Sequence, residues 1–481
     1  MNGHTVEKIG GTSIADTEAS LRNVLLPQRL AARPYGRIFV VSAYAGLTNL
    51  LLEHKKTGKP GIYRLFVRGD SDHAWADAVS DVARRMCQIN AEVFDDEGLR
   101  AEADGFVRER IEGIRSCLID IQRLCSFGHF KLEEHLHTVR EMLCAIGEAH
   151  SAFNTALLLR QRGIRSRFVD LTGWRDDRQV DLAGRIESGL GSIDPTQELP
   201  IVTGYAQCEE GMFSRFGRGY TEVTFSRIAA QTGAREAIIH KEFHLSSADP
   251  LLVEGGTVRK IGSTNYDVAD QLANMGMEAI HPGAAKVLRR SDIPLRIRNT
   301  FDPHDPGTVI HTDYVSEQPA VEIITGRKDV YALQVFDPEM AGLAGVDRRI
   351  LELIENQDLR VVTKDLNANT VTHFVTGTLS RARRAIQSLR EAYPGAEVDL
   401  RKVAVVSVIG SDLRVPGLLA HTVGVLAGAG IGIVALHQGI RQVDIQVIVG
   451  EDDYARTVNA LHAALVEAPG TGARQGDRRA A

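Results

Sequence analysis

Cysteine is scarce in this sequence. The five present, Cys87, Cys117, Cys125, Cys144 and Cys208, are odd in number and form neither a Cys-x-x-Cys pair nor a Cys/His metal spacing. That excludes a disulfide scaffold and a zinc framework, and points to reduced thiols in a cytoplasmic protein. A basic excess is also lacking, since 56 Lys and Arg stand against 62 Asp and Glu for a formal net charge of -6. Binders of nucleic acid or anionic membranes replace counterions with a basic surface, so neither partner is expected. The longest weakly polar run, VGVLAGAGIGIVAL at 423–436, is too short and too rich in glycine to span a bilayer. The start, MNGHTVEKIGG, has no basic region followed by an apolar one, so no signal peptide is expected. What is there, 481 residues at 43% hydrophobic and 25% charged content, suits two to four globular domains with small-molecule partners.

The first third alternates strand and helix: TVEKI, a helix through IADTEASLRNVLLPQRLA, then the apolar strand RIFVVSA and the loop YAGLTN. Such alternation predicts a mostly parallel sheet with ligands at its carboxyl ends. From about 74 to 162 the apolar spacing turns helical, as in Leu136, Val139, Leu143 and Ile146, and predicts two or three long helices. Short strands return at 165–170, 200–206, 236–242 and 294–299, with helices at about 220–232, 265–275 and 283–290. This α/β domain is expected to cover 1–312, followed by a polar linker at 313–319. The remainder holds a repeat: two segments, 320–397 and 398–467, share the order strand, helix, strand, strand, helix. Two tandem βαββαβ units are expected, and the small, polar tail 468–481 is expected to be disordered.

The stretch VEKIGGTSIAD, residues 6–16, sets a lysine before two glycines and two hydroxyls where a strand runs into a helix. Glycines let backbone N–H groups approach a phosphate, Thr12 or Ser13 can cap the helix, and the helix start carries partial positive charge. Lys8 adds a full charge. Because the lysine precedes the glycines, this is not a Walker loop. Taken alone, the stretch fits a capped turn as well as a phosphate loop.

Its context resembles a known family. KIGGTS is similar to the K-F-G-G-T-S start of aspartate kinases, and VVSAYAGLTNLLL (40–52) to their second-strand loop. Gly147 and Glu148 match the opening of their substrate helix, and FGRGYTE (216–222) resembles their L-G-R-G-G-S-D. SSADP (246–250), AIHP (279–282) and IPLRIRNTFDPHDPGTVI (293–310) follow in family order, and the tandem repeat resembles paired ACT domains. The resemblance implies an amino-acid kinase (carbamate-kinase-like) αβα sandwich with a mostly parallel central sheet, plus two ferredoxin-like ACT domains at the C-terminus. It also implies ATP-dependent phosphorylation of the side-chain carboxylate of L-aspartate, with Mg²⁺ as cofactor.

On that reading Lys8 bridges the transferring phosphoryl group, with Gly10, Gly11, Thr12 and Ser13 around the phosphates. Arg218, its flanking glycines clearing space for it, offers a planar fork to the substrate α-carboxylate; Glu148 accepts the α-ammonium; Ser42 and Thr48 supply hydroxyls. Glu222 aligns with a family aspartate at the catalytic centre. The nucleotide side departs from the family: Leu251 stands where arginine is usual, Glu278 where lysine is usual, and Lys241 and Glu242 where the family has T-D. Lys241 and Lys260 are the candidate replacement cations, Asp249 shapes the nucleotide turn, and Glu242 orients Lys241 or holds a metal-bound water. No residue is assigned as a direct metal ligand.

These departures, with LLEHKKTGKPG and HKEFHLSSADP, resemble the aspartate kinases associated with ectoine biosynthesis. The ACT pair implies a homodimer or dimer of dimers and an amino-acid effector held near 336–347 or 410–417. The turn TKDLNANT (363–370) differs from the T-S-E-x-S usual for lysine feedback. Alternative readings are another amino-acid carboxylate kinase, acting on glutamate or acetylglutamate, and a catalytically weak amino-acid sensor.

Overall fold

The computed structural model describes residues 3–28, 34–69, 72–253, 257–277, 279–340 and 345–467. Glu278 and the predicted disordered tail 468–481 lie outside the described residues. The chain divides into two compact units, one within Met1–His244 and Ile280–Thr312, the other within Leu245–Ala279 and Asp313–Ala481. Up to residue 312 the strands are β1 (Thr5–Ile9), β2 (Arg37–Val41), β3 (Ser166–Val169), β4 (Leu199–Thr203), β5 (Glu236–Lys241), β6 (Ser263–Asn265), β7 (Leu295–Asn299) and β8 (Thr308–His311).

In the first unit the strand order is β3-β4-β2-β1-β5-β7-β8, parallel except for the β7–β8 pair. Every residue of β1, β2 and β4 is buried, as expected of parallel strands covered on both faces. β1 lies between β2 and β5, with Lys8 opposite Val40 and Ile239. The chain leaves β1 toward β2 and later returns on the other side as β5. The carboxyl end of β1 is therefore a switch point, where open α/β sheets hold ligands.

The helical stretch resolves into Asp72–Val93, Glu97–Cys125 and Leu132–Gln161. Asp96 starts the second by accepting the Leu99 amide at 2.8 Å. Leu132–Gln161 has the length and hydropathy of a membrane span, but its most apolar window is 89% buried, as in a core helix. Its residues Ala152, Ala156 and Leu159 pack with Ile9, Phe39, Val41 and Ile201 of the sheet. The single helix expected after β1 is instead broken into Gly11–Ala15 and Thr17–Ser20. Asp16 interrupts it and caps the second piece through the Ala19 amide at 2.9 Å.

The second unit carries β9 (Ile323–Phe336), β10 (Arg360–Leu366), β11 (Thr370–Thr376), β12 (Glu397–Ile409), β13 (Ile433–Gln438) and β14 (Asp444–Gly450). They form one antiparallel sheet, ordered β10-β11-β9-β12-β14-β13. The helices of the first repeat are Val346–Glu355 and Leu379–Ala392, and those of the second are Leu418–Gly428 and Tyr454–His462. The long strands β9 and β12 pair from Glu397 opposite Phe336 to Ile409 opposite Ile323, so each serves both repeats. Sharing removes an exposed edge from each repeat. The two halves keep separate cores, one around Leu333, Ile350 and Leu389, the other around Ala404, Leu426 and Leu461.

Residues 245–253 and 257–277 are built into this unit. Ser247 accepts the Ile324 amide at 2.8 Å, the Asn459 side chain donates to the Leu252 carbonyl at 2.7 Å, and Leu245, Val268 and Leu272 pack on Ile323 and Ile409.

Candidate active site

Residues alternate across β1, so Lys8 and Glu7 point to opposite faces. The Lys8 ammonium lies 3.2 Å from Glu222 Oε1, in the first turn of the helix Tyr220–Thr232. Glu222 Oε2 accepts the His281 amide at 2.5 Å. Burial pushes the Glu222 carboxyl up, but Lys8, Lys241 and the His281 amide outweigh it and hold the group below its usual range. The site thus keeps a fixed anion that presents the lysine.

After β1 the chain turns at Gly10 into a short helix. A Cβ on Gly11 would lie 2.7 Å from the Ala43 carbonyl oxygen, so only glycine lets the loop after β2 close on this turn. The capping expected of Thr12 or Ser13 does not occur: Gly10 holds the cap position without a side-chain bond. Thr12 is exposed, whereas Ser13 faces the interior and its hydroxyl accepts from Thr300 Oγ1 at 2.9 Å.

Glu148, on the core helix, is 2% exposed. Thr221 donates its hydroxyl to Oε1 at 2.6 Å, while Oε2 is buried without a partner. Burial pushes the carboxyl up to about 8, against the pull of Thr221, Lys8 and the amides of Tyr205 and Ala43. Gly204, just after β4, makes room for it. A Cβ there would meet Thr221 Cγ2 at 2.4 Å, Glu148 Oε2 at 2.8 Å and the Val41 carbonyl oxygen at 2.9 Å. Gly204→Ala is expected to cost about 1–3 kcal/mol of stability, the usual range for overpacking. Thermal melts of the variant and the parent protein check this.

Arg218 lies between Gly217, whose φ of 55 and ψ of -141 suit only glycine, and Gly219. The expectation that both glycines clear space for the arginine is corrected at Gly219, because a Cβ there would strike the His281 ring at 2.2 Å. The Arg218 guanidinium donates to Asn49 Oδ1 at 2.6 Å and to the Glu53 carbonyl oxygen. Ser42 and Thr48 flank the same loop; the Ser42 amide donates to the Ile9 carbonyl at 3.1 Å, and Thr48 is on the helix Leu47–Leu51.

At the end of β5 the Lys241 ammonium lies 5.7 Å from the Phe243 ring centre and acts electrostatically on Glu222; Glu242 is exposed. Asp249 and Lys260 belong to the second unit. There Asp249 accepts the Leu251 amide at 2.9 Å, Lys260 bridges Ser246, and the Leu251 side chain is 91% exposed. The structure thus brings Lys8, Gly10, Gly11, Glu148, Glu222 and Lys241 to one edge of the first unit's sheet. Sequence reasoning missed Gly204, Thr221, Asn49 and the His281 amide. Asn49, Thr221 and His281 lie inside stretches that resemble the family, whereas Gly204 reads as part of a strand.

Residues 4–299 match the sequence model of the Amino acid kinase family, and residues 406–465 that of an ACT domain. The chain belongs to the amino acid kinase family. It is 53% identical over 464 residues, 96% of its own length and 98% of the relative's, to Aspartate kinase Ask_Ect of Stutzerimonas stutzeri (strain A1501). It is 24% identical to the aspartokinase of Candida albicans, over 79% of this chain and 76% of that one. Escherichia coli aspartokinase III, solved in complex with aspartate and ADP, shares the fold at a TM-score of 0.70 and 20% identity, covering 96% of this chain and 99% of that one. Clostridium acetobutylicum aspartate kinase does so at 0.71 and 18%, covering 96% and 100%. Within the family, the Ask_Ect match over nearly the whole of both chains puts this protein among the aspartate kinases.

Proposed function

We propose that the protein transfers the γ-phosphoryl group of ATP to the side-chain carboxylate of L-aspartate, giving 4-phospho-L-aspartate and ADP under control of its ACT pair. The observation that carries this reading is Glu148, a buried carboxylate with one oxygen unpartnered, close enough to Lys8 to feel its charge. Such a group calls for a cation, and the α-ammonium of an amino acid supplies one. Arg218 exchanges its bond to Asn49 for the α-carboxylate, and Ser42 and Thr48 add hydroxyls. The side-chain carboxylate then points toward Lys8. It needs no general base, because an aspartate side chain titrates near ~3.9 and is ionised at neutral pH. A carboxylate oxygen bonds to the γ-phosphorus as the bond to the β,γ-bridging oxygen breaks and ADP leaves. Lys8 and the amides of Gly10 and Gly11 screen the charge in flight, and Lys241 adds a second cation.

Mg²⁺ suits this edge as an ion carried in on the nucleotide phosphates, where it neutralises charge. Glu222 is committed to Lys8 and the His281 amide, and exposed Glu242 is a carboxylate that would orient Lys241 or hold a metal-bound water. Five unpaired cysteines suit a cytoplasmic enzyme. The outer strands of the second unit's sheet, β10 and β13, support assembly into a homodimer or dimer of dimers. The match to Ask_Ect supports a place at the start of ectoine synthesis. Trapping the acyl phosphate with hydroxylamine tests the reaction: with ATP and Mg²⁺, aspartate should give hydroxamate and glutamate should not. Hydroxamate from glutamate alone, or from neither, overturns the proposal.

A further inference from the structure

Two consecutive residues of the core helix, Arg140 and Glu141, have no part in the chemistry above yet hold both segments that Arg218 joins. Glu141, 8% exposed, lies seven residues before Glu148 and so on the same helix face. Its carboxylate accepts four hydrogen bonds: the Tyr205 hydroxyl at 2.8 Å, the Phe213 amide at 3.0 Å, and the Ser214 amide and hydroxyl at 2.9 and 3.0 Å. Three of these fix the start of the short helix Met212–Phe216, which ends at Gly217 and delivers Arg218. The fourth fixes Tyr205, beside the Gly204 that packs on Glu148.

Arg140 works on the other side. Its guanidinium pairs with the Glu53 carboxylate at 2.5 Å and lies 4.7 and 4.3 Å from the ring centres of Tyr63 and Phe213. The carbonyl of the same Glu53 accepts from Arg218. One helix turn thus clamps the segment carrying Arg218 and the loop that receives it.

We infer that Arg140 and Glu141 are positioning residues for Arg218, setting the affinity for aspartate without touching it. This rests on the reading of Arg218 as the partner of the α-carboxylate. Glu141→Gln keeps the shape but removes the charge that draws in two amides and two hydroxyls. Arg140→Met keeps the packing on Tyr63 and Phe213 but frees Glu53. Each is expected to raise the KM for aspartate about tenfold, while kcat and the KM for ATP change less than about twofold, the pattern of lost uniform binding. Arg140→Lys should restore part of the loss by keeping a charge on Glu53. In an Arg218→Ala background, Arg140→Met should add almost nothing, because effects acting through one group are not additive.

Steady-state kinetics on the full chain separate the outcomes. If Arg218→Ala leaves the aspartate KM unchanged, the reading of the site fails. If Arg218→Ala raises it and neither Arg140→Met nor Glu141→Gln does, the inference fails while that reading stands. A fall in kcat with both KM values disturbed alike assigns the pair to general stability and also overturns it. Should Glu141→Gln not fold, Tyr205→Phe and Arg140→Met carry the same test.

Discussion

Replacing Lys8 by alanine is expected to lower kcat by about 10²–10³, the range for losing one preorganised group that stabilises charge in the transition state. The loss should fall on kcat more than on the KM for aspartate, since the contacts proposed for Glu148 and Arg218 with the amino acid are untouched. Lys241 is a second ammonium acting on Glu222. The same substitution strands a buried carboxylate, because Glu222 loses its 3.2 Å partner. Breaking such a pair costs about 3–5 kcal/mol in a fully buried setting, and less here because Lys241 and the His281 amide remain. The pH dependence gives the sign. In the parent protein the Glu222 pKa is lowered, so the stability it contributes is present above its ordinary value of 4.5 and lost as pH falls through the lowered value. In Lys8→Ala the carboxyl loses a main cation and burial pushes it up, so the deficit is largest near pH 8 and shrinks toward pH 5. Adding Glu222→Gln should restore the melting temperature and leave kcat low. Recovery of kcat in the double variant would sink the assignment of Lys8 to the phosphoryl group.

Much of this was legible in the sequence, in proportion to how local each determinant is. β1 and the turn after it were readable because a strand, two glycines and a helix are dictated by residues a few places apart. The ACT repeats were readable because a repeated order of elements needs no knowledge of contacts. The single sheet they form was not: β9 and β12 look like ordinary starting strands until their pairing from Glu397 to Ile409 shows each serving both repeats. The placement of 245–253 and 257–277 in the second unit rests on Leu245, Val268 and Leu272 meeting Ile323 and Ile409, contacts no local pattern encodes. At the site, motif position pointed to Lys8, Glu148 and Glu222, which the structure brings to one edge of the first unit's sheet. Side-chain direction was the illegible part. Ser13 read as a cap turned inward to Thr300, since the phase of so short a helix cannot be fixed from its letters. Gly219 read as space for Arg218 and proved to be space for His281.

Glu148→Gln is expected to make the protein more stable and worse at its task. In the free protein the Glu148 carboxyl sits at about 8, raised first by burial, so at pH 7 it is mostly protonated. Binding a substrate ammonium requires the ionised form, and each bound amino acid then releases up to one proton. The apparent affinity for aspartate should be weaker at pH 7 than above the pKa by about tenfold, and by about 100-fold at pH 6, the penalty of ionising the group first. The KM for aspartate therefore falls as pH rises from 6 to 8, with a slope approaching tenfold per unit. Gln cannot ionise, so in the variant the slope disappears and the KM stays high at every pH. Stability moves the other way. A carboxyl whose pKa is raised in the folded state contributes stability that is fully present below its unfolded value of 4.5 and lost as pH rises through the folded value near 8. Glu148→Gln removes that loss, so its melting temperature should exceed the parent's at pH 8 and converge with it toward pH 5. Melts across this range, paired with the aspartate KM at each pH, give two opposite trends from one atom replacement. A merely structural glutamate would show at most the first, and a pH-independent KM in the parent protein would remove Glu148 from the ammonium site.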